Sequence, residues 1–201
     1  PLFAAVFVAF QASPAVAQSP SGAAAPNHIR GTVEKLDGHD LTIKSRAGDT
    51  VSVTLAPNFS VLAVVPKTMA DIKPGDFVAS TSIRGPNGAL DAIEVHILPQ
   101  NLRSKIAGQF PSDLVPGSLM TNATVAQITS VPRGRVLSVT YKGRDAAITV
   151  LPGIPIVGYV PGDASLLKPG AAVFLTAQKD ADGGLTAARV TAEKNGVKPP
   201  M

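Results

Sequence analysis

The chain is expected to be all-β, built as two five-stranded small barrels in tandem. Three observations predict this. The sequence repeats itself: "ADIKPGDFV" at 70–78 returns 95 positions later as "SLLKPGAAV". Apolar and polar residues alternate over short runs, the period of a strand with one buried face. Finally, 18 Gly and 18 Pro among 201 residues supply many turns, while only 4% of residues are aromatic. An interior of Val, Ile, Leu and Thr suits a small barrel.

The first element is a leader. Leu2 to Phe10 is apolar, and small residues follow up to Ala15-Val16-Ala17. This pattern predicts a signal peptide over 1–17, cut after Ala17, although its basic start is not in the sequence as given. The apolar run falls well short of the roughly 20 residues that a spanning helix needs. Export follows, with the periplasm as destination and no membrane span after cleavage. "SPSGAAAP" at 19–26 makes 18–27 a flexible lead-in. Without any cysteine, disulfides, thiolate metal sites and Cys nucleophiles are excluded.

The repeat defines the rest. At an offset of 95 a gapless match runs from about residue 54 to 96. It includes Pro57/Pro152, Val65/Val160, Pro66/Pro161, Lys73/Lys168, Pro74/Pro169, Gly75/Gly170, Thr81/Thr176, Gly88/Gly183 and Val95/Val190. Upstream, "GTVEKLDGHDLTIKSRAGDTVSVTLAP" faces "ATVAQITSVPRGRVLSVTYKGRDAAITVLP", and each reads strand, turn, strand, turn, strand. "DGHD", "AGD" and "KGRD" carry hairpin chemistry.

In both copies a short helical turn should follow ("MADI", "SLL"), ended by proline, which disfavours helix in the residue before it. Gly75 and Gly170 then allow a tight turn with positive φ. Two more strands close each copy: "DFVASTSIR" with "ALDAIEVHI", and "AAVFLTAQK" with "LTAARVTAE". Five strands with a helical turn between the third and fourth is the order of an OB-like barrel. The barrels are assigned to 28–99 and 119–193, joined by a Pro- and Gly-broken linker at 100–118 with a helical turn near 101–107 and followed by a tail at 194–201. They are either separate or share strands in one fused sheet.

Candidate chemistry is sparse. Glu94 and His96 share a strand face at i, i+2, read as exposed, and could hold a metal with a third ligand. Copy two has Arg189 and Thr191 at those places, and no third ligand adjoins them in sequence. His28 lies in the lead-in and His39 in a hairpin turn. Asp71 and Asp76 flank Lys73-Pro74-Gly75, but acid–base work needs a cleft that separates two pKa values, and copy two has Leu166 and Ala171 there. No phosphate loop, nucleophile elbow or His-Glu helix motif occurs. No catalytic residue and no cofactor is therefore assigned. The 18 basic and 14 acidic residues are interspersed, and the few aromatics sit at core-like positions, so nucleic acid is not an expected partner.

"IRGTVEKLDGHDLTIKSRAGDTVSVTL", "DIKPGDFVASTSI", "SLMTNATV" and "PGDASLLKPGAAVFLTA" together resemble an exported proteobacterial family of unknown function with tandem small-barrel domains. Some of its members are labelled metal ABC transporter permease. The resemblance covers about 28–201 and carries no functional residues. A permease needs several apolar spans of roughly 20 residues, which this sequence lacks. The expected function is a non-enzymatic periplasmic binding or scaffolding protein, an accessory subunit beside an envelope protein partner. The alternative is a periplasmic metal-binding or metal-delivery protein using His96 and Glu94.

Overall fold

A computed structural model describes residues 27–85 and 88–199. The expected signal peptide, almost all of the lead-in and the last two residues lie outside the described residues.

Twelve strands account for most of the chain. They are β1 (Asn27–Asp37), β2 (Asp40–Ser45), β3 (Thr50–Lys67), β4 (Phe77–Arg84), β5 (Leu90–Leu98), β6 (Gly108–Pro111), β7 (Leu119–Val131), β8 (Gly134–Tyr141), β9 (Arg144–Val150), β10 (Ile156–Gly162), β11 (Ala172–Lys179) and β12 (Leu185–Ala192). One helical turn, α1 (Arg103–Ile106), lies between β5 and β6.

β1, β2, β3, β12 and β11 form a closed five-stranded barrel. β1 pairs with β2 and β2 with β3, both antiparallel, while β12 runs parallel to β3 from Thr186↔Thr54 to Ala192↔Ala63. β11 completes the ring between β12 and β1. The inward faces are those the alternation marks: Ile29, Val33, Leu41, Ile43, Val53 and Leu55 meet Val173, Leu175 and Val190 in one core.

The other strands lie outside this barrel. β10 pairs with β3 on one side and β5 on the other. β5, β4, β7, β8 and β9 follow in hydrogen-bonded order, and β9 meets β5 again at Leu90↔Ile148 and Asp91↔Thr149. A second core of Val78, Leu90, Val95, Val125, Leu137, Val139 and Ile148 lies among them.

Strand membership therefore differs from one barrel per copy. β4 and β5 do not return to β1–β3. They pair with β7 and β9, while β11 and β12 pair with β1 and β3. The two copies share one twelve-stranded sheet. Alternation fixes which face of a strand is buried and not which strand lies beside it, so the repeat by itself does not set these partners.

The registers of the two sets of strands match. Phe77↔Thr124 corresponds to Thr32↔Ala172, and Ile156↔Val95 to Val190↔Val61. Bulges fall at matching places, between Val33 and Lys35 and between Val125 and Gln127. At the centre, β3 and β10 cross antiparallel with Val64 opposite Tyr159, its own counterpart 95 positions on.

The Lys-Pro-Gly corners lie at equivalent bends. Gly75 has φ +92° and Gly170 φ +88°, the left-handed region that costs a Cβ-bearing residue roughly 1–2 kcal/mol. Each corner grips the opposite copy: Gly75 N–H donates to Val125 C=O (2.8 Å), and Gly170 N–H to Val33 C=O (2.9 Å). The return bonds are Val125 N–H to Asp76 C=O (2.8 Å) and Val33 N–H to Ala171 C=O (2.9 Å). Short 3-10 turns at Met69–Asp71 and Ala164–Leu166 precede the corners, as the sequence predicts.

Two elements differ from expectation. β3 runs unbroken for 18 residues, whereas copy two splits the same stretch into β9 and β10. Copy two carries Pro155 where copy one has Ser60, and proline offers no amide to the ladder. The linker also holds a strand: after the predicted helical turn, β6 pairs with β7 from Gly108↔Asn122 to Pro111↔Leu119.

Candidate functional site

Glu94 and His96 are not on an exposed face. Their side chains are 7% and 11% exposed, because β10 lies beside β5 and carries Tyr159 over them. A bulge opposite Thr81 and Ser82 turns Val95 and Ile97 toward the second core and leaves Glu94 and His96 on the other face. The neighbouring strand β4 supplies Thr81 directly opposite Glu94.

These residues form a continuous polar chain. The Thr81 hydroxyl donates to Glu94 Oε1 at 2.6 Å. His96 Nε2 stands 3.3 Å from the same oxygen, though off the line of an aligned hydrogen bond. Its Nδ1 is hydrogen-bonded to the Tyr159 hydroxyl. A carboxylate accepts only, so the imidazole proton belongs on Nε2, facing Glu94, and Nδ1 accepts from tyrosine. Burial, and then the Glu94 charge, pushes the Tyr159 hydroxyl well above its ordinary pKa, so it remains a donor. The chain ties β4, β5 and β10 together at the crossing of the two copies.

The metal expectation gains no third ligand from the fold. Among the described residues no group of three or more His, Asp or Glu side chains is placed to hold an ion. Glu94 and His96 bind Thr81, Tyr159 and each other. The copy-equivalent face, with Arg189, Thr191 and Thr176, instead borders a groove of about 320 Å³ that Tyr159 also reaches, lined by Leu102 and Ile106 of the linker.

Asp71 and Asp76 both act as backbone acceptors. Thr68 N–H and its hydroxyl donate to Asp71 Oδ2 at 2.7 and 2.8 Å, and Lys73 N–H donates to Asp76 Oδ2 at 2.8 Å. The Thr68 bonds hold the Asp71 carboxyl below the usual carboxylate range. These aspartates shape a turn and do not face one another across a cleft. His39 packs edge-on against Phe59, with ring centroids 5.8 Å apart.

A second cluster lies at the mouth of the closed barrel, and sequence reasoning missed it. His28 and Arg30 point from β1 toward the linker. Arg30 donates through Nη1 and Nη2 to the two oxygens of Asp113 at 2.9 and 3.0 Å, and His28 Nδ1 lies 3.0 Å from Oδ2. The Arg30 guanidinium sits 4.8 Å from the Phe174 ring centroid. Arg30 above all, then His28, holds the Asp113 carboxyl down at about 2. The adjoining cleft of about 560 Å³ also receives Ser45, Arg46 and Lys179. Only the i, i+2 spacing of His28 and Arg30 hinted at this; Asp113 is more than eighty residues away.

No protein-family model matches the chain, and neither the curated proteins nor the solved structures compared with it give a match. Among the described residues no helix is long and apolar enough to cross a membrane.

Proposed function

We propose that this chain is a non-enzymatic binding or scaffolding protein, exported to the periplasm, where it serves as an accessory subunit beside an envelope protein partner. In this reading the outer strands β4, β5, β7, β8 and β9 are a second small OB-like barrel. It arose with the first by duplication, and the copies have exchanged their last two strands. The predicted leader and the resemblance to exported tandem-barrel proteins support the localisation.

The observation that carries the reading is the reciprocal crossing of β3 and β10 centred on Val64 and Tyr159. In this reading it joins two barrel surfaces at a set spacing in one body, which suits a module that holds partners. The buried pair Glu94 and His96 spends its hydrogen bonds joining β5 to β4 and to β10 beside that crossing. Groups so engaged are poor general acids or bases, since catalysis needs them within reach of substrate.

Crosslinking in intact cells followed by mass spectrometry of the purified chain tests the proposal. A specific envelope protein should be captured in stoichiometric yield. Recovery as a lone monomer under every crosslinking condition would rule the scaffolding role out.

A further inference from the structure

The cleft at the barrel mouth has the chemistry of an anion receptor. Surface cations usually swing freely, but Arg30 is fixed by the Phe174 ring beneath its guanidinium and by β1 in the barrel wall, with a side chain only 15% exposed. His28 packs edge-on against the same ring, at 5.8 Å between centroids. Their combined preference is already displayed: a carboxylate, Asp113, occupies the guanidinium fork with a bidentate pair of hydrogen bonds and reaches the imidazole too. That carboxylate arrives on the linker and is itself 50% exposed.

Asp113 does not neutralise the cleft. Arg46 and Lys179 also line it, both exposed, and among the described residues neither has a carboxylate within ion-pair distance. Three permanent cations thus face one acid, beside the Ser45 hydroxyl. The corresponding cleft on the other copy is lined by Arg84, Gly88 and Leu90, the counterparts of Lys179, Gly183 and Leu185. There Asn122 stands at the place of Arg30 and donates to Ile106 C=O, while Asp145 and Tyr141 enter the lining. The cleft is a product of the fold, and only one copy has filled it with cations.

We propose that the cleft lined by His28, Arg30, Arg46 and Lys179 binds an anionic group, carboxylate or phosphate, on a ligand for which the linker residue Asp113 is an internal competitor. The incoming anion contacts Arg46 and Lys179 and shares or displaces Asp113 on Arg30. This site stands apart from the β3–β10 crossing and does not depend on the scaffolding role.

Titration of the full chain with inorganic phosphate, and separately with D-glucuronate, tests the assignment by backbone amide chemical shifts. At least one anion should produce saturable shifts at Ser45, Arg46 and Ala47. The anion that binds more tightly tells a phosphate-bearing from a carboxylate-bearing ligand. Arg46→Gln with Lys179→Gln, both solvent-exposed positions, should weaken binding about tenfold while leaving distant shifts in place. Asp113→Asn should strengthen it about fivefold by removing the competitor. No saturable shift with either anion, shifts that survive the double substitution, or unchanged or weaker binding in Asp113→Asn would each overturn the proposal.

Discussion

Tyr159→Phe removes one oxygen atom from the seam between the two copies. His96 Nδ1 then loses its partner, and the ring loses the contact that aims Nε2 at Glu94. A polar atom buried without a partner costs about 1–3 kcal/mol. For a chain of this size that is a fall in Tm of roughly 3–10 °C. The assay is thermal unfolding at neutral pH, with Tyr141→Phe as control, because the Tyr141 hydroxyl has no hydrogen-bond partner among the described residues; that change should stay within about 0.5 kcal/mol. Alkaline titration adds a second signature. The folded state raises the Tyr159 pKa above 10.0, so the unfolded chain releases that proton first. The stability it contributes is complete below pH 10 and declines as pH rises past that value. Tyr159→Phe should lose this part of the alkaline decline. A Tm within one degree of wild type, with an unaltered alkaline limb, would refute the polar chain as a structural lock.

Three further outcomes follow from the same geometry. Gly75→Ala and Gly170→Ala should each lower stability by about 1–2 kcal/mol, seen as a lower denaturant midpoint at constant m-value, because each forces a Cβ into positive φ at an equivalent corner. Leu41→Ala and Leu137→Ala remove fully buried counterparts from the two cores at about 2–5 kcal/mol each. Since β3 and β10 join the strands of the two cores into one sheet, either change should leave one unfolding transition; two separated transitions would speak for independent barrels. The Asp113 carboxyl, held at about 2 by Arg30, supports the linker above pH 3.8 and stops doing so as pH falls from there toward 2. Wild type should show this acid-limb loss of linker protection in hydrogen exchange, and Asp113→Asn should not.

Strands and turns were legible because they are local. Val51, Val53 and Leu55 announce their shared face by alternation alone, and Gly75 and Gly170 announce their bends by the Pro before each. Strand partners are a different matter. A period of two says which face is buried and nothing about which strand lies alongside. One signal was available: Phe59 to Pro66 is nearly all apolar on both faces, the mark of a strand covered twice over. That stretch crosses β10. The Glu94 and His96 pairing was readable from i, i+2 spacing, but its burial was not, because the covering Tyr159 comes 63 residues later on a strand of the other copy. His28, Arg30 and Asp113 escaped for the same reason of sequence distance.

The exchange itself can be tested by cutting the chain. A protease site inserted between Pro116 and Gly117, both exposed, divides β1–β6 from β7–β12. If β4–β5 and β11–β12 are traded between the copies, the two fragments should co-elute as one folded particle after cleavage and part only in concentrated guanidinium. Fragments that separate in native buffer, each still folded, would contradict the exchange.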